Sequence, residues 1–149
     1  HELGRSDAWI SKHLGMDKTE ALAGEIREIN PYIKMTVDKV KVTSQNAAEI
    51  FRGDRLVCEA FDVAENKAML VNTLLAELPE TILVAGTGMA GYGSSNVIQT
   101  HKRMRRLYIC GGGVSDIAGG ISLMAPRVTL CAAHQANMAV RLILGESEV

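Results

Sequence analysis

Residues 81–96 read TILVAGTGMAGYGSSN, a short β-branched apolar run that breaks into glycines. Ile82 to Ala85 have the composition of a strand buried on both faces of a parallel sheet. Gly86-Thr87-Gly88-Met89-Ala90-Gly91 then has the G-x-G-x-x-G spacing of a dinucleotide fingerprint. In that fingerprint a helix follows the glycines and holds a pyrophosphate at its N-terminus, and an acidic residue closes the next strand. Neither feature follows here. Gly93, Ser94, Ser95 and Asn96 favour turns, and the next strand-like run, RRLYIC, ends in Gly111-Gly112-Gly113 without Asp or Glu. Two strand candidates also precede this one. The glycines therefore read as a loop beyond the carboxyl end of a parallel strand, where ligands bind in open α/β sheets. Such a loop lines a site without cradling a phosphate.

Outward from this stretch the chain alternates between helix and strand patterns. MDKTEALAGEIREINP is a helix, with Asp17 as N-cap, Glu20 three residues on, Leu22, Ile26 and Ile29 on one face, and Pro31 as the stop. The alternation from Ile33 to Val37 predicts a half-buried strand. TSQNAAEIFRGD predicts a short helix capped by Ser44 and ended by Gly53, and RLVCEAFD predicts a compact strand closing on an acid. AENKAMLVNTLLAELP has helix composition, with Met69, Thr73 and Leu74 on one side. The last long helix opens at Pro126, runs through RVTLCAAHQANMAVRLIL and stops at Gly145. Alternation of this kind with short connections predicts an α/β domain with a largely parallel sheet, one domain over residues 1–149.

Composition sets the outer limits. The 149 residues suffice for one domain with a real core, and 47% of them are hydrophobic. Sixteen basic residues against seventeen acidic ones create no overall field favouring nucleic acid or an anionic membrane. No apolar run approaches the roughly 20 residues of a membrane span. Cys58, Cys110 and Cys131 are odd in number and never form C-x-x-C, which suits a reducing cytoplasm and argues against a structural zinc. Cys58 and Cys131 read as core residues, and Cys110 as a strand end with no activating partner in sight. HKRMRR, residues 101–106, is the densest basic run and reads as a solvated strand or loop edge, with contact to an acidic partner or a phosphate as the sharper alternative. His134, Gln135 and Asn137, inside an otherwise apolar helix, read as satisfied buried polar groups.

Five segments together resemble a known family. GMDKTEAL, INPYIKM, EAFDVAENKAMLV, VAGTGMAGYGSSN and LMAPRVTLCAAHQANMAVRLILGE occur in the order found in the ThiF/MoeB/HesA adenylyltransferases, relatives of the ubiquitin-activating enzymes. The likeness is greatest to the short thiamine-pathway branch that lacks zinc-binding C-x-x-C pairs. It covers most of the chain from about Gly15 onward. The resemblance implies a Rossmann-like three-layer α/β fold. It also implies a cytoplasmic homodimer that uses Mg-ATP to adenylate the C-terminal glycine of a ubiquitin-like sulfur carrier protein. Such chemistry needs cations on the phosphates, a carboxylate for Mg²⁺ and a groove that aligns the carrier's tail.

Matched by position, Lys18 falls on the family's phosphate-contacting lysine and Asp62 on the aspartate that engages Mg-ATP. ELGR, residues 2–5, stands where the family has N-L-x-R, which makes Arg5 the arginine on the phosphates. Glu2 and Ser6 depart from the usual asparagine and glutamine, and Val63 replaces the Asn after the aspartate. Gly88, Met89 and Gly91 correspond to a loop at the substrate groove. The family's own nucleotide loop, G-x-G-G-x-G-S, would lie before ELGR, so the resemblance implies a fold lacking its first strand–helix–strand unit and a chain inactive by itself. Two other readings stand beside it. One is a non-catalytic module for carrier docking or dimerisation. The other is an NADP-binding oxidoreductase built on Gly86–Gly91, with HKRMRR on the 2′-phosphate.

Overall fold

A computed structural model describes residues 17–113 and 123–149. The chain divides into two compact units, one made chiefly of residues 42–149 and the other of residues up to Lys41.

In the second of these, Lys18–Ile29 form helix α1, with Asp17 at the N-cap position. Asp17 makes no capping bond with its side chain; its carboxylate instead meets Lys39 Nζ at 2.7 Å, and Glu20 meets the same ammonium. The expected apolar face is not the buried one. Ala21 and Ala23 are buried, whereas Leu22 and Ile29 are exposed. Residues 33–37 alternate as a strand should, yet they form none, because no neighbouring strand supplies a hydrogen-bond ladder among the described residues.

The larger unit opens with the short helix α2, Ala47–Ile50, whose N-cap is Asn46 rather than Ser44. Four strands follow: β1 (Leu56–Glu59), β2 (Ile82–Thr87), β3 (Gln99–Met104) and β4 (Leu107–Gly111). Their spatial order is β1-β2-β4-β3. The β1–β2 and β2–β4 pairs are parallel, and β3 runs antiparallel to β4. Helix α3, Ala64–Glu77, connects β1 to β2, and α4, Ala125–Ile143, closes the chain.

Two apolar clusters show how the layers are held. Leu70 and Leu74 of α3 pack with Ala47, Val57, Leu83 and Leu107. Cys131 and Met138 of α4 pack with Val84, Ile98, Tyr108 and Cys110. Leu83 and Val84 are neighbours on β2 and fall into different clusters, as successive strand residues must. The central strands are thus buried on both faces and read as a continuous apolar run. Mixed α/β architecture with a mostly parallel sheet flanked by helices is the fold that the sequence pattern predicts.

Some positions depart from expectation. Cys58 is exposed, because among the described residues β1 lies at the sheet edge with β2 as its only partner. Asn137 is exposed as well. The basic run forms most of β3 and its turn, and Arg106 in that turn is structural. Its guanidinium donates to the carbonyls of Leu75, Leu78 and Thr81 at 3.0, 2.9 and 2.6 Å, which ties the β3–β4 hairpin to the end of α3.

Candidate functional site

The carboxyl ends of β1 and β2 face the same direction, and a cleft of about 240 Å³ opens beyond them. β1 ends at Glu59, and the turn from Ala60 to Val63 carries Phe61 and Asp62 over one side of this cleft. β2 ends at Thr87, and Gly88, Met89 and Ala90 form the opposite side. Gln135 of α4 and Lys67 of α3 complete the polar part of the wall.

Each wall is fixed by long-range contacts. Gly88 turns the chain with φ +65°, and a Cβ there would stand 2.7 Å from Gly113 N, so only glycine fits. Arg127, in the first turn of α4, is buried and pins both ends of this loop. Its two terminal nitrogens donate to Ser94 O at 2.9 Å and Gly88 O at 3.1 Å. Its Nε is buried without a partner among the described residues. Across the cleft, Gln135 Nε2 donates to Glu59 O at 2.9 Å and, more weakly, to Val84 O at 3.4 Å, bridging the end of β1 and the middle of β2. Glu59 itself is 1% exposed. Lys67 Nζ reaches both of its carboxylate oxygens at 3.1 Å, and Phe61 N donates to Oε1.

The structure thus brings three of the expected residues, Asp62, Gly88 and Met89, to one cleft. Gly91, buried with φ +77°, is two residues beyond Met89 and does not line it. Lys18 is the exposed first residue of α1, in the other unit. Arg5 lies outside the described residues. Asp62 does not cap α3: the N-cap position is Val63, and no side chain caps that helix.

The dinucleotide reading of Gly86–Gly91 does not survive. The loop after β2 leads only to a three-residue 3₁₀ turn, Ser95–Val97, and then to the antiparallel β3, so no helix follows the glycines as the fingerprint requires. The cysteines offer no nucleophile at the cleft. Burial pushes the Cys110 and Cys131 thiols up, and Cys131 Sγ donates to Cys110 O at 3.0 Å. His134, one turn from the cleft wall, pairs through Nδ1 with Thr100 Oγ1 at 3.1 Å, satisfied within the fold as expected.

Sequence reasoning passed over Glu59, Lys67 and Arg127. The one available signal was an acid ending a strand eight residues before a lysine in the first turns of a helix.

The sequence signature of the ThiF family matches residues 2–149. The chain belongs to the ThiF family. No curated protein matches this ThiF-family chain significantly. Among solved structures, it is similar to E. coli tRNA N6-threonylcarbamoyladenosine dehydratase, TcdA, in complex with ATP. The TM-score is 0.68 at 19% identity, over 92% of this chain and 69% of that one. The AMP complex of the same enzyme gives a TM-score of 0.64 at 21% identity, over 87% and 67% of the two chains. A further structure of TcdA gives 0.64 at 20%, over 87% and 66%. This ThiF-family chain therefore spans about two thirds of the length of those structures, and at such identity the likeness is one of fold. No helix among the described residues is long and apolar enough to cross a membrane.

Proposed function

We propose that this ThiF-family chain takes part in ATP-dependent adenylation of a carboxylate, the C-terminal glycine of a ubiquitin-like sulfur carrier protein. The observation that carries the reading is the cleft itself. It lies at the carboxyl ends of parallel strands, with an exposed carboxylate on one wall and a glycine ledge on the other. Similarity to a fold captured with ATP and with AMP supports the nucleotide.

The residues present suit Mg-ATP. Mg²⁺ is commonly held by one or two carboxylates together with substrate phosphates rather than by an all-protein cage. Asp62 offers such a carboxylate, and no cluster of three metal-ligating side chains occurs among the described residues. Bound Mg²⁺ would offset the negative charge of the phosphates. The chain's own part is positional. Asp62 supplies an oxygen ligand, while Gly88, Met89 and Ala90 form a narrow, mostly apolar ledge for an extended tail. Holding the tail's carboxylate beside the α-phosphate turns a bimolecular attack into an oriented one. Lys18 and Arg5 belong to the same proposal as the cations on the phosphates.

Calorimetry with Mg-ATP tests this reading. Binding by the wild-type chain that weakens by about tenfold or more in Asp62→Asn supports it, the loss expected when a metal's carboxylate is removed. Absence of Mg-ATP binding overturns it. Fluorescence anisotropy with a labelled carrier-tail peptide and with tRNA then assigns the macromolecular substrate. Preference for tRNA rejects the carrier.

A further inference from the structure

Glu59 holds an unusual place for a carboxylate. It is 1% exposed, yet it ends the strand that leads directly into the turn carrying Asp62. Its side chain accepts from Phe61 N, two residues on, and from Lys67 Nζ in the second turn of α3. Its main-chain carbonyl accepts from Gln135 of α4 at 2.9 Å. One residue is therefore gripped by the helices that follow β1 and close the chain, and the four-residue turn between Glu59 and Ala64 is folded around its carboxylate.

Stability alone gives little reason for such a pair. Removing two charges from water costs so much that a well-packed apolar pair of similar volume is often as stable or more so. What an apolar pair could not do is accept the Phe61 N–H and thereby set the path of the next residue. The amide fixed is that of Phe61, the residue immediately before Asp62. Lys67 stands 19% exposed at the side chain and lines the cleft, so the ion pair and the cleft share a wall.

We infer that Glu59 and Lys67 are positioning residues. Their ion pair, closed by the Phe61 N–H, clips the β1–α3 turn so that the Asp62 carboxylate is held in place for a divalent cation. The inference rests on the Mg-ATP reading of the cleft and deepens it. Partners that orient a metal ligand are commonly worth as much as 10–100-fold in metal affinity. The effect should therefore appear in the metal-dependent part of nucleotide binding.

The decisive comparison uses the wild type, the double variant Glu59→Leu/Lys67→Met and the single variant Lys67→Arg. Replacing both charges avoids leaving one buried and unpaired, so the double variant keeps its fold. Lys67→Arg keeps a fork that matches both Glu59 oxygens. Two measurements are made on each: amide hydrogen exchange over residues 57–66, and binding of ATP with Mg²⁺ and with EDTA. In the double variant, exchange at Phe61 accelerates and the affinity that Mg²⁺ adds to ATP binding falls by about tenfold or more. Lys67→Arg behaves as the wild type in both assays. Should the double variant not fold, Glu59→Gln takes its place. It keeps an acceptor for Phe61 N but loses the charge that holds Lys67, and it is expected to lose Mg-ATP affinity with a smaller change in exchange. Unchanged exchange in the double variant overturns the clip, as does an equal loss of ATP with and without Mg²⁺. A wild type that binds no Mg-ATP overturns the functional reading instead, and the exchange comparison alone then decides whether the clip exists.

Discussion

Replacing Gly111 by alanine should damage this fold far more than the same change at another glycine with positive φ. Gly111 closes β4 beside Thr87, the last residue of β2, and its φ is +147°. A Cβ there would fall on the Thr87 carbonyl, 2.7 Å from Thr87 C and 3.3 Å from Thr87 N. These are backbone atoms, so no rotamer relieves the overlap. Atoms in ordinary contact stand about 3.5 Å apart and the carbonyl oxygen is the atom overlapped, so the two strand ends must separate by about 2 Å. The last rungs of the ladder, at Gly86–Cys110 and Thr87–Gly111, are lost with that separation. Each hydrogen bond contributes about 0.5–1.5 kcal/mol net. The disfavoured φ adds about 1–2 kcal/mol for a residue with a Cβ. The whole change comes to about 2–5 kcal/mol. With a urea m-value of about 1.5 kcal/mol/M, the unfolding midpoint falls by about 2 M. Gly53 is the matched control: its φ is +94°, and a Cβ there meets nothing within 4 Å. Gly53→Ala should cost about 1 kcal/mol, from conformation alone. If urea unfolding followed by circular dichroism shows Gly111→Ala losing no more than Gly53→Ala, the close approach of the two strand ends is wrong. The cleft wall at Thr87 and Gly88 would then need another explanation.

Three further outcomes follow from the same structure. Arg106→Met removes three charge-assisted bonds to the carbonyls of Leu75, Leu78 and Thr81 and should cost about 2–3 kcal/mol, since hydrogen bonds to charged groups are the stronger kind. An unchanged denaturation midpoint would show that the hairpin needs no tie to α3. Burial raises the thiols of Cys110 and Cys131, so on raising the pH the unfolded chain gives up protons that the folded chain keeps. Their contribution is intact below the ordinary thiol value of about 8.5 and is lost as pH climbs past it, so the melting temperature should fall between pH of about 7 and 9.5. In the native protein Cys58, exposed on β1, should label with a thiol reagent first; equal labelling of all three would contradict the burial.

Near-neighbour chemistry made much of the chain legible. The β-branched run at 82–84, Pro126 at the start of α4 and Gly145 at its end announce their elements through local sterics alone. The order of those elements implies a parallel sheet, and the segment motifs point to the family. Asp62 could be read as a site residue through the family resemblance, and Gly88 and Met89 through that resemblance and their place beyond a strand end. The tertiary structure decided whatever depends on a partner distant in sequence. Residues 33–37 carry strand alternation, but a strand exists only when another pairs with it. Cys58 is exposed because, among the described residues, β1 has a neighbour on one side alone. Glu59 reads in the sequence as interior to a strand that closes on Asp62; the strand in fact ends at Glu59, and Gln135, 76 residues away, and the α3 lysine make it the anchor of the Asp62 turn. Propensity and periodicity are set within a turn or two of chain. Burial, pairing and the company of a charge are set by packing, and only the folded chain brings those residues together.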